Sequence, residues 1–500
     1  MLLGGRLGQI LVLASISLIA LVGMVGLAID GGYLLTVRRH MQTTADAAAV
    51  AAANVMQGSG SYQQAATDVT AINGFTNGQN GVTVTVSSPP LTGAYAALQN
   101  YVQVNVAQAV PTYFLRVIGF TTVAVGARAV AGTINGPACI YALDPSASRA
   151  IALNGNFTVT SACGVLADSD SSSAMTANGN GVVTTSSLGV VGNYLANGNV
   201  SFTPTPLIHI APSPDPLAAL QAPSVASCTQ AATNKSGSYS VSGNNPIVTV
   251  PPGVYPSGIS VGGNNSTVTF SAGTYGNGIA VIGNNGSVTF NPGQYQSGGG
   301  SGSAITITGN AEATFTTGNY SFCGPVSITG NNAVTFSPGL YYGGISISGN
   351  AAVTFNPGTY ILAGGGLSVT GNSSLTGAGV TFYDTTGFGS YSGINLSGNE
   401  QANLSAPTSG ALAGILFFQD RTIPTGSAGS SIIGNSQSTF DGALYFPTTT
   451  LTYNGNSSSS GYTILIADKL SITGNSTMVI GDNYSSLTNG SPIKSTTLYE

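Results

Sequence analysis

Between residues 240 and 400 a Gly-Asn pair returns at Gly243, Gly263, Gly283, Gly309, Gly330, Gly349, Gly371 and Gly398, in steps of 20, 20, 26, 21, 19, 22 and 27 residues. Further pairs follow at Gly434, Gly455 and Gly474, and others precede at Gly155, Gly179 and Gly198. A period near twenty built from short apolar runs marks a solenoid rather than a row of separate domains. Each repeat holds two short alternating runs, such as Ile259-Ser260-Val261 and Val268-Thr269-Phe270. Gly-Asn-Asn divides them, and Pro-Gly-x-Tyr or a close variant ends the repeat. Gly and Asn tolerate the positive φ of tight corners. With no helical stretch between the runs, a βαβ crossover cannot return the chain, so the repeats predict a right-handed parallel β-helix with coils of about 20 residues. Fourteen coils at ~4.8 Å each give a rod of about 65–70 Å. Ile, Val and Phe then stack inside, with Ser, Thr and Asn facing water.

Such a core explains an odd composition. Charged residues make up 5% of the 500, against roughly 25% in ordinary soluble domains, yet 42% are hydrophobic. The net charge of −5 is uneven: residues 1–135 hold five Arg and three Asp, leaving 10 − 5 = 5 basic and 15 − 3 = 12 acidic residues for 136–500. Neither part is a basic patch, which argues against a nucleic-acid partner. Two segments interrupt the repeats: a Pro-rich insertion near 202–242 and a lengthened coil at 404–431.

Residues 10–29 carry no charge over twenty positions, the length a helix needs to cross ~30 Å of hydrocarbon. A signal peptide would have a shorter apolar region ending at a small-x-small cleavage site. Here Asp30, Gly31, Gly32 and Tyr33 follow, then Arg38 and Arg39, so a retained single-span anchor is expected. Arg6 on one side and the Arg pair on the other leave the positive-inside rule undecided. The nearly charge-free, cysteine-bearing remainder looks exported, on the periplasmic or extracellular side, with the N-terminus in the cytoplasm.

Residues 41–56 are Ala-rich and continue the helix as a stalk, so residues 1–57 form anchor and stalk. Residues 62–72 read as a second helix. Alternating runs at 82–86, 101–106 and 123–131 read as strands, making 58–135 a small α+β unit and 136–500 the β-helix. The order GLAIDGG (26–32), RRHMQTTADAAAVAAA (38–53) and VPTYFLRVIGFTTVAVGARAVA (110–131) resembles the N-terminal region of TadG-like proteins of the tight-adherence (Flp) pilus assembly system. The resemblance covers about residues 1–135. It implies a bacterial cell-envelope protein with one membrane anchor and a structural or assembly role in pili and surface adhesion. Pilus-assembly or envelope proteins are the implied partners, and no enzymatic activity or cofactor is implied. Some relatives carry a metal-binding Asp-x-Ser-x-Ser pattern. Asp168, Asp170 and Ser172 imitate it without the flanking βαβ elements, so a polar turn is expected.

Catalysis has few candidates. Gly258-Ile-Ser260-Val-Gly262 matches a nucleophile elbow, but Ser260 becomes Ala280 in the next repeat, no helix follows, and only His40 and His209 could serve as base. Asp420, Arg421 and Asp441 are the best set for a polysaccharide-cleaving β-helix, the alternative function. Seventeen charged residues spread over 365 positions leave little to build it from, so no enzyme, catalytic residue, metal or cofactor is expected. A ladder of Tyr255, Tyr275, Tyr295, Tyr320, Tyr341 and Tyr360 suits solenoid packing, with stacking on a surface polysaccharide as the functional option. Four cysteines without zinc spacing point to disulfides in an exported compartment. Cys139 and Cys163 are 24 residues apart, about one coil. Cys228 and Cys323 are 95 apart, or ~23 Å along a regular axis, and can join only if the Pro-rich insertion folds along the rod.

Overall fold

The computed structural model describes residues 4–56, 60–98, 101–135, 138–228, 237–298, 302–387, 389–458 and 461–498. The chain divides into two compact units, residues 1–135 with 493–500, and residues 136–492.

In the first unit one helix, α1 (Gly4–Val55), runs for 52 residues, ~78 Å at 1.5 Å per residue. Its N-terminal part presents exposed Leu, Ile, Val and Met on all sides. This apolar helix fits a single-pass membrane anchor. Further along, Met41, Ala45, Ala48, Ala49 and Ala52 are buried at helical spacing. The small alanine side chains let the helix pack closely in one core with Val102, Val104 and Val106. A second helix, α2 (Tyr62–Ile72), is capped by Ser61, whose hydroxyl accepts from the Gln64 N–H. Strands β1 (Val82–Ser87), β2 (Tyr101–Pro111) and β3 (Thr122–Asn135) form an antiparallel sheet.

A fourth strand corrects the expected boundary at 500. Lys494–Leu498 pairs antiparallel with β3, placing Leu498 opposite Ala131. KSTTL carries no apolar alternation, and backbone pairing with an open sheet edge recruits it. The solenoid is thus inserted between two strands of this sheet.

The second unit is a parallel β-solenoid of about 14 turns with ~22-residue spacing. Each regular turn has three strands, one more than the repeats predict. The closing Gly-x-Tyr is itself a strand, as in Gly273–Gly276 and Gly293–Gln296, which pair in parallel. Equivalent positions stack in register: Ile259 on Ile279, Ile279 on Ile305, Ile305 on Val326. Phe270, Phe290 and Phe315 form an inner ladder with centroid spacings of 4.8 and 4.7 Å.

Stacking order departs from chain order. From residue 138 the chain climbs through successive turns to Leu207–Ile208 at one end of the stack. It then restarts at the other end with Tyr239–Val241 and builds back. The strand Thr463–Ile480 finally pairs in parallel with Ile151–Ser161, from Leu470 opposite Ile151 to Ile480 opposite Ser161. The first-made and last-made turns therefore meet inside the stack. The Pro-rich segment is shorter than the sequence suggests, because Phe202 and Thr203 still belong to a strand. It runs back along the solenoid as a strap.

Candidate functional site

The solenoid exposes a polar, uncharged corner built by the repeat itself. Gly330 turns the chain at φ 121°, and the following Asn331 donates its amide N–H to Asn310 Oδ1 at 3.2 Å. Asn350 donates to Asn331 at 2.8 Å, Asn372 to Asn350 at 3.1 Å and Asn399 to Asn372 at 3.2 Å. Nearer the other end, Asn156, Asn180, Asn199, Ser201 and Asn475 line a shallow groove of about 580 Å³. A second groove of about 350 Å³ is lined by Thr354, Thr376, Asn403, Thr439 and Asp441. Such surfaces offer amide and hydroxyl groups in rows, with Asp441 the charged side chain among the residues named here.

The Tyr ladder lies inside. Tyr255, Tyr275, Tyr295, Tyr320, Tyr341 and Tyr360 are all buried, with Tyr275 and Tyr295 stacked at 5.3 Å. Their hydroxyls donate to carbonyls four residues earlier: Tyr295 to Asn291 at 2.6 Å and Tyr341 to Ser337 at 2.6 Å. The ladder secures the Pro-Gly turn and has no face for a sugar. Ser260 lies in the strand Ile259–Val261 opposite Ala280. His209 is exposed at the start of the strap, and His40 packs against Phe75 at 5.1 Å in the first unit. Ser260 and His209 therefore lie toward opposite ends of the stack.

Asp168 and Asp170 form a polar turn: the Ser213 N–H donates to Asp168 at 3.0 Å, and the Asp170 N–H donates to the Pro145 carbonyl. Burial pushes the Asp168 carboxyl above its usual range, partly offset by the bond from Ser213. Among the described residues no three His, Cys, Asp or Glu side chains gather as a metal site.

Arg421 has a structural assignment. Its Nε donates to the Tyr445 hydroxyl at 2.7 Å, Nη1 to the Leu220 carbonyl at 2.9 Å and Nη2 to the Leu217 carbonyl. The guanidinium lies over the Phe418 and Tyr445 rings at 5.4 and 5.2 Å, and Asp215 lies 4.0 Å from Nε. Arg421 thus clamps the strap. Beside it, burial opposes ionisation of Asp420, but hydrogen bonds from Thr385, Thr422 and Tyr383 hold its carboxyl below the usual range. Asp441 accepts from the Gly461 N–H at 3.0 Å. Both disulfides are present, Cys139–Cys163 and Cys228–Cys323, each with Cα atoms 5.6 Å apart. The second exists because the strap carries Cys228 along the stack, the condition its spacing imposed.

In the first unit, the Asp30 carboxylate on α1 accepts from the backbone N–H groups of Tyr113, Phe114 and Leu115 at 3.0, 2.9 and 2.6 Å. The β2–β3 loop is thereby tied to the end of the apolar helix. Residues 8–55 match the Flp pilus-assembly TadE/G-like family, and residues 36–131 the Tad-like Flp pilus-assembly family. The first unit is Tad-like. No curated protein and no solved structure matches the chain. The Tad-like domains indicate Flp pilus assembly and an N-terminal membrane helix. The solenoid lies beyond the matched residues.

Sequence reasoning missed the strap anchor and the Asn ladder. The ladder had a signal, an Asn directly after each corner Gly. The anchor had none, because Leu217 and Leu220 meet Arg421 across about 200 residues through carbonyls, which carry no side-chain identity.

Proposed function

We propose that this chain is a membrane-anchored envelope protein of Flp pilus assembly in which the solenoid serves as a rigid, non-catalytic display rod for pilus assembly or surface adhesion. The N-terminus lies in the cytoplasm and the solenoid on the exported side. Two disulfides in the solenoid unit, residues 136–492, favour an oxidising compartment. The carrying observation is the clamp at Arg421: the one base in the best catalytic set gives its hydrogen bonds to two strap carbonyls and the Tyr445 hydroxyl, which leaves rows of Asn, Ser and Thr as the main accessible chemistry. Binding through many weak neutral hydrogen bonds depends little on salt.

The test uses the full chain in its own cells. Deleting residues 326–366 removes two turns in register, since Val326, Ile345 and Leu367 are equivalent. The shortened protein should reach the membrane with both disulfides formed but support fewer pili or weaker adhesion. Asp441→Asn should leave that phenotype intact and insensitive to salt. Release of reducing or unsaturated sugar ends from an acidic polysaccharide, lost in Asp441→Asn, would instead establish the cleaving β-helix.

A further inference from the structure

The loop joining β2 to β3 reads YFLRVIGF over residues 113–120, and a single 3₁₀ turn, Leu115–Ile118, shapes it. Loops that face water bury their apolar side chains or lack them. This one exposes Tyr113 (59%), Phe114 (42%), Val117 (82%), Ile118 (66%) and Phe120 (59%). Elsewhere among the described residues of this unit, large exposed apolar side chains are concentrated on the membrane-crossing stretch of α1.

The structure also fixes where the loop lies along that helix. Three backbone N–H groups bind Asp30, the first charge after the apolar run. The Tyr113 ring meets Tyr33 edge-on at 5.7 Å. Phe114 lies so close to Gly26 that a Cβ there would fall 2.7 Å from its ring. Gly26 is four residues inside Asp30, about 6 Å along the axis, and belongs to the uncharged stretch 10–29. A loop attached at that level stands where the helix leaves the hydrocarbon. Its composition suits that layer: Tyr and Phe fill the aromatic belt, Val117 and Ile118 lie among acyl chains, and exposed Arg116 reaches phosphate headgroups.

We propose that residues 113–120 are a second, interfacial membrane contact, a wedge inserted in the leaflet from which α1 emerges, and that the lipid bilayer is the partner covering this surface. The wedge rests on the reading of α1 as a membrane span. It holds the unit against the bilayer at two points, where α1 alone would leave it free to pivot. Asp30 is the positioning residue, holding the loop at its depth through backbone hydrogen bonds that any loop sequence could make.

The test uses full-length protein reconstituted in phosphatidylcholine–phosphatidylglycerol vesicles. The described cysteines are all in disulfides, so a Val117→Cys chain takes an environment-sensitive fluorophore at one place. Gln79→Cys, in an exposed polar turn of the same unit, is the control. At 117 the label should emit to the blue, be quenched by lipids carrying a nitroxide near the headgroup, and resist iodide several-fold better than at 79. Quenching by iodide equal to the control overturns the proposal. Protection from iodide without quenching by lipid nitroxide also overturns it, showing that a protein, a partner span or a second copy covers the loop. Flotation of the unlabelled chain with the vesicles tests the span separately. Side chains 117 and 118 point out of the fold, so Val117→Asn with Ile118→Asn should preserve the disulfides and flotation while a label at 120 loses its lipid quenching.

Discussion

Gly330 turns at φ 121°, and a Cβ there would lie 2.4 Å from the Gly309 carbonyl oxygen of the turn beneath. Substitution must strain the backbone and also push neighbouring stacked turns away from each other. We expect Gly330→Ala to destabilise the solenoid by about 1–3 kcal/mol, read as a lower urea midpoint for the full chain. Asn331→Ala, which loses exposed amide bonds, should cost less. Glu400 is the other residue whose environment is written in one position. It is buried at a corner, and neither carboxylate oxygen has a partner outside its own residue among the described residues. Burial pushes its pKa up to about 7, and burial likewise raises Asp168 and Asp468. Because the folded state holds these protons more tightly than the unfolded chain, the stability they contribute is full below the unfolded value of ~4.3. It is lost as pH rises toward about 7. Melting temperature should accordingly fall between pH 5 and pH 8. Glu400→Gln should flatten that slope and stabilise the protein at pH 8 by about 1–3 kcal/mol. A steeper slope in the variant would refute the assignment.

The strap is the element least legible beforehand. The sequence places the strands of the regular repeats because apolar alternation and corner glycines recur together, and it places α2 at its observed bounds, Tyr62–Ile72. It shows residues 202–242 only as rich in proline, which breaks strands without saying where the chain goes. Its course is set by partners remote in sequence: Asp168 for Ser213, Tyr445 for Asp215, Arg421 for Leu217 and Leu220, Cys323 for Cys228. The strand Lys494–Leu498 escaped notice for the same reason, since pairing with β3 needs no apolar pattern. The candidate site divides likewise. Tyr spacing foretold stacking, whereas the role of Arg421 required knowing the strap. Arg421→Ala should release the strap and leave the stack folded. Limited proteolysis should then cut within residues 209–222 several-fold faster, with circular dichroism unchanged. Loss of the β signal would mean that the strap belongs to the core.

Across the whole molecule, the two chain passages between the units lie at residues 135–136 and 492–493. The turns they lead to in the solenoid are neighbours: Leu143 and Asp144 donate backbone N–H bonds to Ala467 and Asp468 at 2.8 and 2.9 Å, and Lys469 sits 3.6 Å from Asp144. A long run of sequence separates these partners, so closing the seam means closing a loop of more than 300 residues. Contacts of such high order slow folding. Refolding of the reduced chain should therefore yield the Cys139–Cys163 bridge, which joins adjacent early turns, before protection of the amides in residues 470–480. Simultaneous appearance of the two would contradict that order.

The seam also decides what an incomplete chain looks like. In a solenoid read straight from end to end, loss of the last turn exposes the edge of the next, and the damage stays at the tip. Here a chain stopped at residue 462 would lack the strand Thr463–Ile480 and expose facing strand edges in the middle of the stack, with the strap still running across the gap between the surviving turns. Translation errors and proteolytic nicks near the C-terminus are thus converted into a gross structural fault rather than a shorter working rod. The arrangement works as a completeness check, in which a chain carrying its last strand closes the stack and a shorter one leaves it open in the middle.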